Sequence, residues 1–308
     1  MIALFNALPG VVAQGLIWGI MAIGLYITYK VLDFADLTVD GSFTTGGCVC
    51  VIMLNAGVNV WVCLLVAFLA GAVAGLITGI LHTLMGIPPI LSGILTQMSL
   101  VSINLIILGG KSNLFVGLGL GLITSGNDLA AILVVASFVA ALIALLYFFF
   151  GTEIGCTLRA TGNNEQMVKA QGVNVKANKI LGLMISNALV ALAGALLAQY
   201  QGFADTDAGR GAIVIGLAAI VIGQTLVGFI GRNFALKLFG CALGGVCYYL
   251  VYQFVILLGL NTYLLKLLAA VVVALFLAIP YIKKEYFSRS PKKLLSKNSL
   301  EKGGDNHA

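Results

Sequence analysis

The 308-residue sequence predicts an all-α, polytopic membrane helical bundle of about nine spans, with an inverted internal repeat and broken or re-entrant helices. Three observations carry that prediction. Charged residues make up only 9% of the chain against 60% hydrophobic ones, where a soluble domain has about 25% charge. Mean hydropathy is +1.08. The charges that do occur separate long apolar stretches rather than marking one face of each. A water-soluble enzyme is excluded, because this composition has too little polar surface to enclose its own core. Disorder is excluded as well, since unfolded chains are poor in apolar residues.

The spans follow in chain order from the gaps between charges. Nothing before Lys30 is charged, so residues 1–29 hold one crossing; without a basic leading segment, it is expected to stay as a mature helix. Between Asp40 and Lys111 only His82 interrupts an uncharged run long enough for three crossings, broken near Asn55 to Asn59 and at Pro88-Pro89. Five further stretches lie between Asp128 and Glu153, Lys179 and Asp205, Arg210 and Arg232, Lys237 and Lys266, and Lys266 and Lys283. All are expected to be helical, because a lipid-exposed strand needs closure into a barrel and an alternating pattern that is missing here. Residues 1–282 therefore form one transmembrane domain, and 283–308 a basic, disordered tail.

Cytoplasmic loops hold the excess of Lys and Arg. One parity of nine crossings gathers Lys30, Arg159 to Lys179, Arg232, Lys237 and the tail on one side, leaving Lys111, Arg210 and Lys266 on the other. The N-terminus is then outside and the C-terminus cytoplasmic. The tail serves as an anchor, and its basic residues also suit anionic lipid.

Most of the six cysteines lie in apolar runs without a CxxC pair, so neither a metal site nor a disulfide is expected. His82 has no second ligand at metal spacing. Gly109-Gly110-Lys111-Ser112 resembles the end of a phosphate loop, but Leu105 stands where the first glycine belongs, so no ATP site, nucleic-acid site or cofactor is read from this chain.

Gly71, Gly75 and Gly79 recur at every fourth position, a face on which two helix backbones can approach closely. Pro88-Pro89 removes two donors and should break a helix or start one after a re-entrant turn. Just beyond, Thr96, Ser99 and Ser102 recur at threes and can share a helix face, either lining a polar path or serving as interhelical glue. Asp36, Asp40, Ser42, Thr44 and Thr45, around the start of the second apolar stretch, join them as candidates for a translocation pathway. The triplet Phe34-Ala35-Asp36 after the first span returns as Phe203-Ala204-Asp205 after the sixth, and the charge-derived topology puts the two copies on opposite sides, as in inverted-topology repeats.

Residues 151–179 form the longest polar segment within the apolar region. Asn164 to Ala170 can make a short amphipathic helix exposing Met167, Val168 and Ala170, with Gly162 and Gly172 ending the helical turns on either side. Such a helix suits docking into a partner's groove. The run Gly155-x-x-Leu158-Arg159-Ala160-x-Gly162-Asn163-Asn164, followed by Ala170-x-Gly172, is similar to the cytoplasmic coupling loop of permease subunits of bacterial ABC importers of the branched-chain amino acid and simple-sugar type. Asp33-Phe34-Ala35-Asp36-Leu37-Thr38-Val39-Asp40-Gly41-Ser42 resembles an amino-acid (aromatic-type) subgroup of them, whereas branched-chain permeases tend to have Asn-Phe-Ala-His-Gly there. The resemblance covers about residues 10–282. It implies a bacterial plasma-membrane importer in which two permease chains form the pore, ATPase subunits dock on the loops and a lipoprotein binding protein delivers the solute. Glu165 would orient the coupling helix and Arg159 would pair with an ATPase carboxylate.

The absence of ionisable residues deep in any span, the Asp33 to Asp40 group and Asp205/Asp207 at the margins aside, argues that energy arrives from outside the chain. An ion-coupled carrier or passive channel is the alternative.

Overall fold

The computed structural model describes residues 2–117, 121–123, 128–228, 233–257, 271 and 274. Helix α1 (Ile2–Tyr26) runs into a π-helical turn (Ile27–Val31) and is followed by α2 (Thr38–Asn55), α3 (Val60–Thr83) and α4 (Pro89–Ile107). After strand β1 (Asn113–Phe115) come α5 (Asp128–Gly151), α6 (Glu153–Asn163), α7 (Glu165–Ala170) and α8 (Val175–Gln201). Strand β2 (Phe203–Asp205) leads to α9 (Ala212–Val227) and α10 (Phe234–Leu257).

Each uncharged stretch within the described residues carries a helix, but only six helices are long and apolar enough to cross a membrane: α1, α3, α4, α5, α8 and α10. Helix α9 is shorter, at 16 residues, and α2 opens on the polar residues Thr38, Asp40 and Ser42. The stretch between Lys266 and Lys283, Arg232 and the basic tail lie outside the described residues, so a count of nine spans remains an expectation.

The breaks have local causes. Asn59 caps α3, its side chain accepting from the Trp61 N–H at 3.0 Å. Pro89 occupies the first helical position of α4, where its missing N–H costs nothing, so Pro88-Pro89 starts a helix. Gly202, at φ +78°, ends α8 in the left-handed conformation that a side chain disfavours. The two strands pair antiparallel, Asn113 opposite Asp205 and Phe115 opposite Phe203, a small addition to an otherwise helical fold.

Helices α1 and α8 form the centre: 78% of each apolar window is buried, against 22% for α5 at the periphery. Small residues bring backbones together. A Cβ at Gly71 or Gly75 would strike the Asn187 or Leu183 carbonyl oxygen of α8, and one at Gly79 would lie 3.0 Å from the Ile180 Cα, so this glycine stripe is the α3–α8 packing face. Trp18 stacks on Phe43 at 4.9 Å between ring centroids, joining α1 to α2.

Helices α2 and α9 both begin inside the bundle. Ser42, in the second turn of α2, meets Asn187 near the middle of α8, and the start of α9 reaches Asp40. One helix after each Phe-Ala-Asp triplet thus starts within the core.

Candidate functional site

Two groups of sequence-selected residues come together. The first is a buried polar junction where α2 and α9 start. Asp36, 1% exposed, accepts from the Thr38 N–H at 2.9 Å and from Asn187 Nδ2 at 2.7 Å. Asn187 Oδ1 in turn accepts from the Ser42 hydroxyl at 2.7 Å. Asp40, 8% exposed, accepts from the Gly211 N–H at 3.0 Å and the Ile213 N–H at 2.8 Å. The Thr44 hydroxyl accepts from the Gly209 N–H at 3.0 Å. Both carboxylates therefore satisfy otherwise orphaned donors at helix N-termini, where negative charge is favoured. A hydroxyl ladder continues the junction toward α3 and α4: Thr38 bonds Thr78 at 2.7 Å, and Thr78 donates to Thr96 at 2.9 Å. Thr45 is buried and donates to the Gly41 carbonyl one turn back.

Two expectations are corrected here. Asp36 and Asp40 are not marginal but enclosed, because their hydrogen-bond partners are supplied by α8 and α9, about 150 to 170 positions further along the chain. Thr96, Ser99 and Ser102 do not share a face: Thr96 is buried, while Ser99 and Ser102 are exposed beside Met98 and Ile103. Steps of three fall short of a full 3.6-residue turn, so Ser102 has rotated well away from Thr96. The buried line on α4 is instead Ser92, Thr96, Leu100 and Asn104, at steps of four. Sequence reading missed Thr38, Thr78 and Asn187. The available signal was Ser186-Asn187, a polar pair in the middle of an apolar run.

The second group is the module formed by α6 and α7. Thr152 and Asn164 cap the two helices, accepting from the Gly155 N–H at 3.3 Å and the Met167 N–H at 3.1 Å. Leu158 is fully buried, Gly155 packs on the Phe149–Phe150 backbone, and Ala160 is half-buried. Asn163, Asn164, Ala170, Gly172 and Met167 are exposed. The helical segment extends further back than expected, to Glu153. Gly162 lies in the last turn of α6, one residue before its end, and there its bare Cα also lets α6 contact the Val31 carbonyl and Leu32 at the π-helical turn. Gly172, at φ +78°, does end α7. Val168 is 1% exposed, so it anchors α7 instead of presenting itself for contact.

Arg159 donates to the Phe150 carbonyl, and its guanidinium lies 5.8 Å from the Phe150 ring centroid and 5.4 Å from that of Phe234. Glu165 forms an ion pair with Lys179 of α8. Among the described residues no group of three or more metal-ligating side chains occurs, and the cysteines are free thiols.

The two groups are linked through the backbone. Gly162 rests on Val31 and Leu32, and four residues later the chain delivers Asp36 to Asn187.

Comparison with known proteins agrees with this architecture. A family model described as branched-chain amino acid transport system, permease component, matches residues 8–280. The chain is 43% identical over 273 residues to a tyrosine transport system permease protein of Clostridioides difficile (strain R20291), covering 89% of this chain and 91% of that one. It is 25% identical over 280 residues to the ribose import permease protein of Escherichia coli (strain K12), covering 88% and 84%. An autoinducer 2 import system permease protein of Salmonella paratyphi B (strain ATCC BAA-1250 / SPB7) is 31% identical over 192 residues, 61% of this chain and 55% of that protein. No solved structure matches. With its multi-pass helical bundle and a family match over nearly its whole length, the chain belongs to the branched-chain amino acid and sugar permease family of ABC importers.

Proposed function

We propose that this permease imports an amino acid of the aromatic type across a bacterial plasma membrane, as a homodimer driven by two ATPase subunits and supplied by an extracytoplasmic lipoprotein binding protein. The N-terminus is outside and the C-terminus cytoplasmic, with residues 1–282 as the transmembrane domain and the basic tail anchored at anionic lipid. The 43% identity to a tyrosine transport system permease supports the substrate class.

The observation that carries the mechanism is the seating of Gly162 on the end of the π-helical turn, five residues before the enclosed Asp36. The ATPases grip the exposed surface of α6 and α7, around Asn163, Asn164, Met167 and Ala170. Their closure on ATP displaces α6, and the π-helical turn conveys that shift to the starts of α2 and α9. Two packings of the bundle then expose the route, through Asp36, Asp40, Ser42, Thr44, Thr45 and Thr96, to one side and then the other. Helices α2 and α9, each following a Phe-Ala-Asp triplet and starting within the core, act as the moving pair of an inverted repeat.

One observation favours a second reading. Enclosed carboxylates are what an ion-coupled carrier uses as proton or sodium sites, and Asp36 and Asp40 are enclosed. Reconstitution in liposomes separates the two. Tyrosine uptake that needs the ATPase, the binding protein and ATP supports the importer; uptake by the permease alone under a proton or sodium gradient overturns it. A tag beside Asn163 reachable only from the exterior of intact cells would overturn the orientation.

A further inference from the structure

At the bundle end that carries α6, three cations from three elements face one open cavity of about 1060 Å³. They are Lys30 of the π-helical turn, Arg159 of α6 and Lys237 of α10. The volume is at the upper end of the ~300–1,000 Å³ of ordinary ligand pockets. Among the described residues none of the three cations has a carboxylate within ion-pair distance, and Asp33 is the sole acidic residue lining the cavity. Arg159 is held in place by the Phe150 carbonyl and by the rings of Phe150 and Phe234, so its donors are ordered before anything binds. Lys30 Nζ lies 5.9 Å from the Tyr29 ring centroid.

The rim is as informative as the charge. Tyr147 and Phe148, 57% and 79% exposed, stand at the end of α5, which among the described residues is the most apolar and the least buried of the candidate spans. Aromatic rings in that position belong at headgroup level, between hydrocarbon and water. Convergent cations with an exposed aromatic rim beside a strongly apolar helix are the chemistry that an anionic headgroup and its first acyl carbons match.

We propose that this cavity binds the phosphate headgroup of an anionic phospholipid. The phosphodiester takes the Lys30, Arg159 and Lys237 donors, and the glycerol and upper acyl chain lie along Tyr147 and Phe148. The proposal does not depend on the importer reading, because it needs only that this end of the bundle meets a membrane surface. Gly162 also lines the cavity, so bound lipid would brace the contact between α6 and the π-helical turn.

The test is native mass spectrometry of the purified full chain titrated with phosphatidylglycerol or phosphatidylcholine, with inorganic phosphate as competitor. Phosphatidylglycerol should be retained at least tenfold more tightly than phosphatidylcholine. Lys30→Gln with Lys237→Gln should reduce that retention roughly tenfold or more, given roughly fivefold per basic residue at an anionic surface. Lys30→Arg with Lys237→Arg should restore it, and Lys176→Gln, at the same end but outside the cavity, should leave it unchanged. Equal retention of the two lipids, or undiminished phosphatidylglycerol binding by a folded double Gln variant, overturns the proposal. So does full displacement of the lipid by equimolar inorganic phosphate, which would make the cavity a site for the free anion.

Discussion

The polar junction and the α6–α7 module both use close glycine contacts, but they differ in where their polar groups sit. At the junction, polar atoms sit deep in the bundle: Asp40 is satisfied by the distant Gly211 and Ile213, and Asp36 by its neighbour Thr38 and the distant Asn187. In the module, most polar side chains stay near the surface and contact with the bundle is made by close packing: Gly155 and Gly162 let backbone meet backbone, and the buried Leu158 and Val168 fill the space beside them. The charges of the module lie toward the outside. The junction should therefore respond to lost hydrogen-bonding capacity at constant volume, and the module to added volume at constant polarity.

The largest effect is expected from Asp40→Asn, which at constant volume turns one of the two carboxylate acceptors at the start of α9, each worth about 1.5–3 kcal/mol, into a donor facing an N–H. Purified protein should melt far below the native chain and transport in liposomes should be lost. An unchanged melting temperature would break the contrast at its stronger end. Next comes Gly162→Val. Its side chain has no room against the Val31 carbonyl, and overpacking costs about 1–3 kcal/mol. ATP hydrolysis by the assembled complex should continue while uptake falls at least tenfold; undiminished uptake would mean that the contact with the π-helical turn transmits nothing.

Smaller still is Glu165→Gln. The Lys179–Glu165 pair is partly exposed, with side-chain exposures of 16% and 42%, so its loss should cost less than about 1 kcal/mol and shift melting by a few degrees at most. A collapse of the module, detected as rapid proteolysis between Thr152 and Asn174, would show that charge rather than packing holds it. Last, Ser99→Ala with Ser102→Ala should change chain stability by no more than about 0.5 kcal/mol, because both side chains are exposed and Ser99 bonds only within its own helix. A larger loss, appearing in crosslinked dimers but not in the isolated chain, would sharpen the picture by placing α4 between two copies.

What was legible in the sequence is what lipid enforces locally. Uncharged stretches mark helices because an unpaired charge is costly in hydrocarbon, and Pro88-Pro89 marks a helix start because proline fixes its own backbone. The stripe of Gly71, Gly75 and Gly79 announces a close neighbour without naming it; the neighbour is α8. The rest depends on partners far along the chain. Treating acids as loop markers misplaces Asp36 and Asp40, since nothing near them in sequence reveals that α8 and α9 will supply donors. Gly162 was half legible for a similar reason: its place in the last turn of α6 could be read locally, but its contact with Val31 and Leu32 could not. Thr96, Ser99 and Ser102 parted because helical rotation accumulates over two steps.

Asp36 and Asp40 have a last implication for selectivity. Free helix N-termini in a membrane interior attract anions, and here both such ends at mid-bundle are already occupied by resident oxygens. At the starts of α2 and α9, a carboxylate from outside would meet donors already taken. Helix ends filled in this way hold the bundle together and leave an anion nothing to displace without breaking it.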